Sequence, residues 1–147
     1  MLVISHRANI NGPNSALYGE NNPDSIKHAL SLGYHVEVDV SYCNNRFYLG
    51  HSNLDYPIDL DFLKTKNLWI HCKNIEALHL LLEQDVICFF HDKDECTLTS
   101  NNYIWTYPSK YIPLTDKSIA VMPERVSGWN TIICFAVCTD FPKKYGV

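Results

Sequence analysis

The chain alternates short apolar runs with polar punctuation, and the period of each run assigns an element. LVIS, residues 2–5, predicts a first buried strand, followed by HRAN and a loop carrying Asn11, Gly12, Pro13 and Asn14. NNPDSIKHALSLG predicts a helix: Asn22 caps it, Pro23 takes the first helical position and Gly33 closes it. Ile26, Ala29 and Leu30 supply its buried stripe. YHVEVDVSY, residues 34–42, alternates at the strand period, so Val36, Val38 and Val40 share one face while Glu37, Asp39 and Ser41 share the other. Asn44 and Asn45 predict a turn into RFYLG, a short antiparallel partner.

Downstream, LWIHCK (68–73) predicts a third strand and NIEALHLLLEQ (74–84) a helix capped by Asn74. VICFFHD (86–92), YIWTY (103–107), SIAVMPE (118–124) and a final AVCTD continue the strand series. Strands alternate with helices only in the first half. The order predicts an α/β fold with a parallel sheet, a reduced or incomplete TIM-type (β/α) barrel that has shed several helices. A chain of 147 residues suits one domain spanning 1–147.

Composition narrows the partners. A net charge of −4 without a basic run argues against nucleic acid, and no apolar stretch reaches membrane-spanning length. Six cysteines (Cys43, Cys72, Cys88, Cys96, Cys134 and Cys138) lack CxxC spacing, and MLVISH has the pattern of a strand rather than an export signal. Reduced, mostly buried thiols and a cytoplasmic location are the expectation.

The candidate chemistry collects where a parallel α/β barrel places it, at the C-terminal ends of strands. That rim gathers His6 and Arg7, Glu37 and Asp39, His71 and Lys73, His91 and Asp92, and Asp140, with His51 folding over from the hairpin. Two carboxylates on one strand face can hold a divalent cation. Arg7 offers a planar fork for phosphate oxygens and Lys73 a point charge. Two histidines on separate elements can serve as general base and general acid. Together these groups describe phosphodiester cleavage. His28 and His79 lie in helices and read as structural, as does His35. His91 and Asp92, inside HDKDE, read as a solvated loop, and Tyr107 and Trp129 as core aromatics.

The same residues resemble the glycerophosphodiester phosphodiesterase family, within the phospholipase C-like phosphodiesterase superfamily. The likeness lies in order and context: HR at His6-Arg7, EN at Glu20-Asn21, ExD at Glu37-Asp39, GH at Gly50-His51, a strand ending in Lys73, and CTDFP at 138–142. The resemblance implies a metal-binding hydrolase on a TIM barrel, acting on a small phosphodiester. His6 and His51 would be the acid–base pair, and Arg7 and Lys73 would hold the substrate phosphate. Glu37 and Asp39 would bind Mg²⁺ or Ca²⁺, with Glu20 contacting the metal site or orienting Arg7. His71 stands where the family places an acid, and an imidazole there favours Mn²⁺ or Zn²⁺, or no metal at all. NINGPNSALY, between HR and EN, reads as an inserted lid or specificity loop. The chain is shorter than the roughly 250 residues of such barrels, so a partner subunit in a homo-oligomer is one way to complete it. Two alternatives keep the residues but change the outcome: a lyase that releases a cyclic phosphate, and a non-catalytic phosphate-binding relative.

Overall fold

A computed structural model describes residues 1–146. Its strands are β1 (Leu2–His6), β2 (His35–Cys43), β3 (Arg46–Leu49), β4 (Tyr56–Ile58), β5 (Leu68–Cys72), β6 (Ile87–Phe90), β7 (Cys96–Leu98), β8 (Ile104–Thr106), β9 (Ser118–Val121) and β10 (Ala136–Thr139). Three short helices accompany them: α1 (Pro23–Ser31), α2 (Leu60–Leu63) and α3 (Ile75–Leu81). All ten strands join one mixed sheet. Parallel ladders link β6, β5, β2, β1, β10, β9 and β8 in that order. The β3–β4 hairpin extends β2 antiparallel, and β7 pairs antiparallel with β8.

This corrects the expected TIM-type (β/α) barrel. The sheet curls into a half-barrel, and helices do not alternate with its strands. Residues 107–117 and 122–135 connect β8 to β9 and β9 to β10 without an α-helix. These segments carry Pro108, Pro113, Pro123 and Gly128, so no uninterrupted 3.6-residue stripe can form there. The latter segment instead makes two single 3₁₀ turns, Pro123–Arg125 and Thr131–Ile133. Isolated hydrogen bonds, with no strand ladder, tie the open edges together: Ser100 N donates to Cys88 O (2.9 Å) and Thr97 Oγ1 to Phe90 O (2.9 Å).

Alternation along the strands builds two apolar layers. The convex layer collects Val36, Val38, Val40 and Ile70 beneath α1 and α3, with Leu81 packing down from α3. The concave layer is Ile4, Trp69, Phe89, Trp105, Ile119 and Cys138. Phe89 stacks on Trp105 at 4.3 Å between centroids, and Trp105 lies 6.2 Å from Trp69, so strands far apart in the sheet meet across the hollow. α1 has the predicted punctuation, with the Asn22 side chain accepting from Asp24 N and Pro23 opening the helix. All six cysteines are free thiols, four of them buried. No described helix is long and apolar enough to cross a membrane.

Candidate active site

Above the aromatic floor, the concave face becomes polar at the C-terminal ends of the parallel strands. Ile4 and His6 on β1, Glu37 and Asp39 on β2, Trp69 and His71 on β5, and Phe89 and His91 at the end of β6 obey the two-residue period. The low position of each pair is apolar or begins the acid cluster, and the high position is chemical. Glu37 and Asp39 are therefore buried, facing the hollow rather than bulk water.

β1 ends at His6, and the next two residues, Arg7 (φ 53°) and Ala8 (φ 68°), adopt the left-handed conformation. Such backbone costs of order 1–3 kcal/mol for a residue with a side chain, and it persists where surrounding bonds over-determine it. Here Arg7 N donates to both the carbonyl (3.0 Å) and the carboxylate Oε2 (3.2 Å) of Glu37. The reversal turns the guanidinium back over β2. Its Nε lies 3.0 Å from Asp39 Oδ2, its Nη1 3.5 Å from Glu20 Oε2, and its Nη2 2.7 Å from His51 Nδ1.

The histidine tautomers follow from these partners. His6 Nδ1 lies 2.8 Å from Asp140 Oδ1, which as a carboxylate only accepts, so Nδ1 carries the proton. Its Nε2 is then the lone-pair nitrogen, on the cavity side and 3.9 Å from Glu37 Oε2. His51 is the opposite case. A guanidinium only donates, so His51 Nδ1 accepts from Arg7 and the proton sits on Nε2. His51 Nδ1 also lies 3.5 Å from Asp39 Oδ2, which becomes an ion pair only when His51 is protonated.

His71 occupies the centre of the acid cluster. Its Nδ1 is 3.2 Å from Asp39 Oδ1 and 3.6 Å from Glu37 Oε1, while Nε2 faces His91 O at 3.3 Å. Its ring stacks on Phe89 at 5.1 Å. Burial alone would lower the His71 pKa, but the close carboxylates of Asp39 and Glu37 override it and lift the pKa to about 9. Burial likewise opposes ionisation of Asp39, yet His51, His71 and the Arg7 guanidinium around it hold its carboxyl well below the usual range.

Glu37, Asp39 and His71 present ligand atoms within 4.8 Å of one another, a buried cluster that can hold a metal ion. Asp39 Oδ1 is fully buried and has no aligned hydrogen-bond donor, which leaves a lone pair for a cation. Two carboxylates with one imidazole are borderline donors, better matched to Mn²⁺ or Zn²⁺ than to Ca²⁺. Without a metal, the protonated His71 supplies the positive charge at the same place.

Glu20 stands outside this cluster. Oε1 accepts from Asn9 Nδ2 (2.7 Å) and Asn14 N (3.2 Å), and Oε2 faces Arg7, so its place is to orient Arg7. Its neighbour Asn21, left-handed at φ 58°, clasps Asp39 from both sides: Nδ2 donates to Oδ2 (3.0 Å) and Oδ1 accepts from Asp39 N (2.9 Å). Asn9 is a further buried hub. Its amide donates to Glu20 and Asp140 and accepts from Ser15 N and Ala16 N, so every polar atom of its side chain is bonded. The inserted segment NINGPNSALY is thus pinned to the site through Asn9, and Gly12 N adds a 2.7 Å bond to Asp140 O. The segment expected to be a lid or specificity loop is anchored beside the site by these bonds.

A cavity of about 200 Å³ brings the predicted groups together: His6, Arg7, Glu37, His51, His71 and Lys73 all line it. His91, Asp92 and Tyr107 line it as well, so the loop read at 91–92, where Asp92 is exposed, borders the cavity, and Tyr107 stands at its wall rather than in the core. The His91 ring stacks on Tyr107 at 3.5 Å between centroids, forming one wall. The signal was present in the sequence, because Phe89–His91 and Trp105–Tyr107 each continue a strand by one two-residue step onto the concave face. Asn9 sits in no motif, and Asn21 stood out only as part of EN, with no role of its own, because a lone asparagine reads first as turn or cap chemistry.

No family model, curated protein or solved structure matches this chain.

Proposed function

We propose that this chain is a phosphodiesterase that cleaves a small phosphodiester by acid–base chemistry between His6 and His51. The observation that carries the reading is the shared 200 Å³ cavity, in which two histidines of opposite tautomer flank Arg7 and Lys73. That volume lies below the ~300–1,000 Å³ typical of drug-sized ligands and suits a phosphoryl group with one small substituent.

The tautomers assign the roles. The attacking hydroxyl, from water or from a neighbouring position of the substrate, gives its proton to His6 Nε2 as its oxygen bonds phosphorus. Asp140 stabilises the imidazolium that results. His51 enters this step as imidazolium, its Nδ1–H turned from Arg7 to Asp39 Oδ2 (3.5 Å), and is left neutral when the leaving alkoxide takes its Nε2 proton as the other P–O bond breaks. Arg7 and Lys73 bind the non-bridging oxygens, and because Arg7 is fixed by Asp39, Glu20 and Glu37 it need not reorganise as charge develops. A divalent ion held by Glu37, Asp39 and His71 would add Lewis-acid stabilisation of the phosphoryl charge.

The test is turnover of glycerol p-nitrophenyl phosphate without metal and with Mg²⁺, Ca²⁺, Mn²⁺ or Zn²⁺. His6→Ala should lower kcat by roughly 10²–10⁴-fold on this substrate, and His51→Ala by a similar factor on glycerol ethyl phosphate, whose alkoxide leaving group needs the proton that p-nitrophenolate does not, while the folded far-UV spectrum is retained. Phosphorus NMR of the product separates hydrolysis from a lyase that stops at the cyclic ester. A folded wild-type chain that binds glycerol phosphate but turns over none of these mixtures would leave the non-catalytic binder as the better reading.

A further inference from the structure

The phosphate cavity adjoins a second one of about 400 Å³ that shares His6, Arg7, Tyr107 and Val121 with it. Pro13, Pro108 and Met122 give this outer chamber carbon walls, while Asn14 and Arg125 sit on its polar side. Its charged lining is Arg7, Glu20, Arg125 and Asp140, with His6 beside them. Glu20 is taken by Asn9, Asn14 N and Arg7, and Asp140 Oδ1 by His6 and Asn9. Arg7 is committed to Asp39, Glu20 and His51. Among the described residues Arg125 has no carboxylate within 4.0 Å.

The local backbone accounts for that unpaired cation. Arg125 closes the 3₁₀ turn Pro123–Arg125, and its N donates to Met122 O at 2.9 Å. The turn starts from Met122 in the left-handed conformation (φ 47°), held by a 2.7 Å bond from Met122 N to Cys138 O. Glu124, the acid next in sequence, is drawn away: both of its carboxylate oxygens accept from Thr139 Oγ1, at 3.1 and 3.0 Å. A cation is thus left facing the chamber while its natural partner is occupied. Its charge reaches Asp140, whose carboxyl burial would raise but which His6, Asn9 and Arg125 together hold low.

We infer that Arg125 is a specificity-determining residue, reading a second anionic group, carboxylate or phosphate, on the alcohol esterified in the inner cavity. The inference rests on the phosphodiesterase reading and adds the substrate class to it: a diester carrying a further negative charge about one chamber away from phosphorus. The inner cavity holds the diester phosphate against Arg7 and Lys73. The outer chamber holds the alcohol skeleton against Pro13, Pro108 and Met122, with the second anion at Arg125.

Three p-nitrophenyl diesters differing only in that alcohol test it: glycerol (neutral), glycerate (carboxylate) and glycerol phosphate (phosphate). In wild type, kcat/KM should favour the anionic members by about five- to tenfold over glycerol, the scale of a partly exposed charge-assisted contact. Arg125→Gln should collapse that ratio to near one, Arg125→Glu should invert it, and Arg125→Lys should restore part of it. A ratio that survives Arg125→Gln overturns the assignment, since a merely structural role would scale all three substrates alike. Binding separates this from failure of the catalytic reading. Calorimetric titration with glycerol 1-phosphate and glycerol 1,3-bisphosphate should show Arg125→Gln weakening only the bisphosphate. Equal weakening of both, or of neither, sinks the Arg125 inference whether or not any diester is turned over.

Discussion

Raising the pH of the metal-free protein from 6.5 to 9 should remove about 3 kcal/mol of stability through His71 alone. His71 has a folded pKa of about 9 against 6.5 for an unperturbed histidine, because Asp39 and Glu37 bind its proton. At about 1.36 kcal/mol per pKa unit, that difference amounts to roughly 3 kcal/mol. The folded pKa lies above the unfolded one, so the native state holds the extra proton. The contribution is complete below pH 6.5 and is lost as pH rises through about 9. His71 is buried, so solvent screening removes little of it.

Urea unfolding in chelator at half-unit steps from pH 6 to 9.5 measures the slope. Cys88 works the other way over the same range, since the Cys72 hydrogen bond lowers its pKa to about 7, so a Cys88→Ser background removes that contribution. The reference is Glu37→Gln/His71→Gln, which deletes one anion and one cation together. A single His71→Gln change would leave two buried carboxylates with less compensation, at a cost of about 3–5 kcal/mol. The histidine-containing protein should lose about 3 kcal/mol more than the reference between pH 6.5 and 9. Saturating Mn²⁺ should flatten the profile above pH 6.5, because ligation needs the same nitrogen free of its proton. Parallel curves for the two metal-free proteins would refute the charge assignment at the centre of the cluster.

Two further changes probe the neighbouring geometry. Asp140→Asn can keep an acceptor oxygen for His6 and Asn9 but removes the negative charge that stabilises the His6 imidazolium; kcat on glycerol p-nitrophenyl phosphate should fall by roughly 10²-fold with KM nearly unchanged. An unchanged kcat would exclude Asp140 from stabilising the His6 imidazolium. Gly50→Ala places a Cβ against the Asn53 carbonyl at φ 149°, so the turn carrying His51 must move; we expect a loss of about 1–3 kcal/mol by urea unfolding together with reduced turnover. An unfolding midpoint matching wild type would mean that the 51–55 turn yields without cost.

What could be read in the sequence was what period and punctuation encode locally. The alternation in HVEVDV put Glu37 and Asp39 on one face and the valines on the other, and the structure buries the two faces in different layers. Asn22-Pro23 and Asn74 marked true helix starts. The three-residue strands β4 and β7 were missed because Tyr-Pro-Ile and Cys-Thr-Leu are too short for a period. Pro57 fits only because β4 is the sheet's edge, where a missing donor costs nothing. The global shape was misjudged for a different reason. Strand order is compatible with a barrel of alternating helices, but helices require stripes that 107–117 and 122–135 do not carry. In the site, charged and imidazole groups announced themselves, whereas the buried amides of Asn9 and Asn21 did not. Their importance comes from partners 131 residues away (Asn9 to Asp140) and 18 away (Asn21 to Asp39), which only the fold brings close.

The half-barrel manages with three short helices because its concave face is filled by aromatic side chains, and the same filling shapes the chemistry. Trp69, Phe89 and Trp105 are all but fully buried, each contributing on the order of 3 kcal/mol of apolar burial without a second layer of helices. They form the floor on which the polar rim stands: Phe89 stacks beneath His71, and Trp105 borders the 200 Å³ cavity. An aromatic floor excludes water from below, so the field among Glu37, Asp39, His71 and Arg7 is less screened than on an open strand. That is why His71 keeps its proton to about pH 9 although burial alone would strip it. It is also why Arg7 can be held by three carboxylates and still face the cavity. Replacing the floor with smaller side chains would therefore act on the site twice, through the stability of the sheet and through the dielectric beneath its charges.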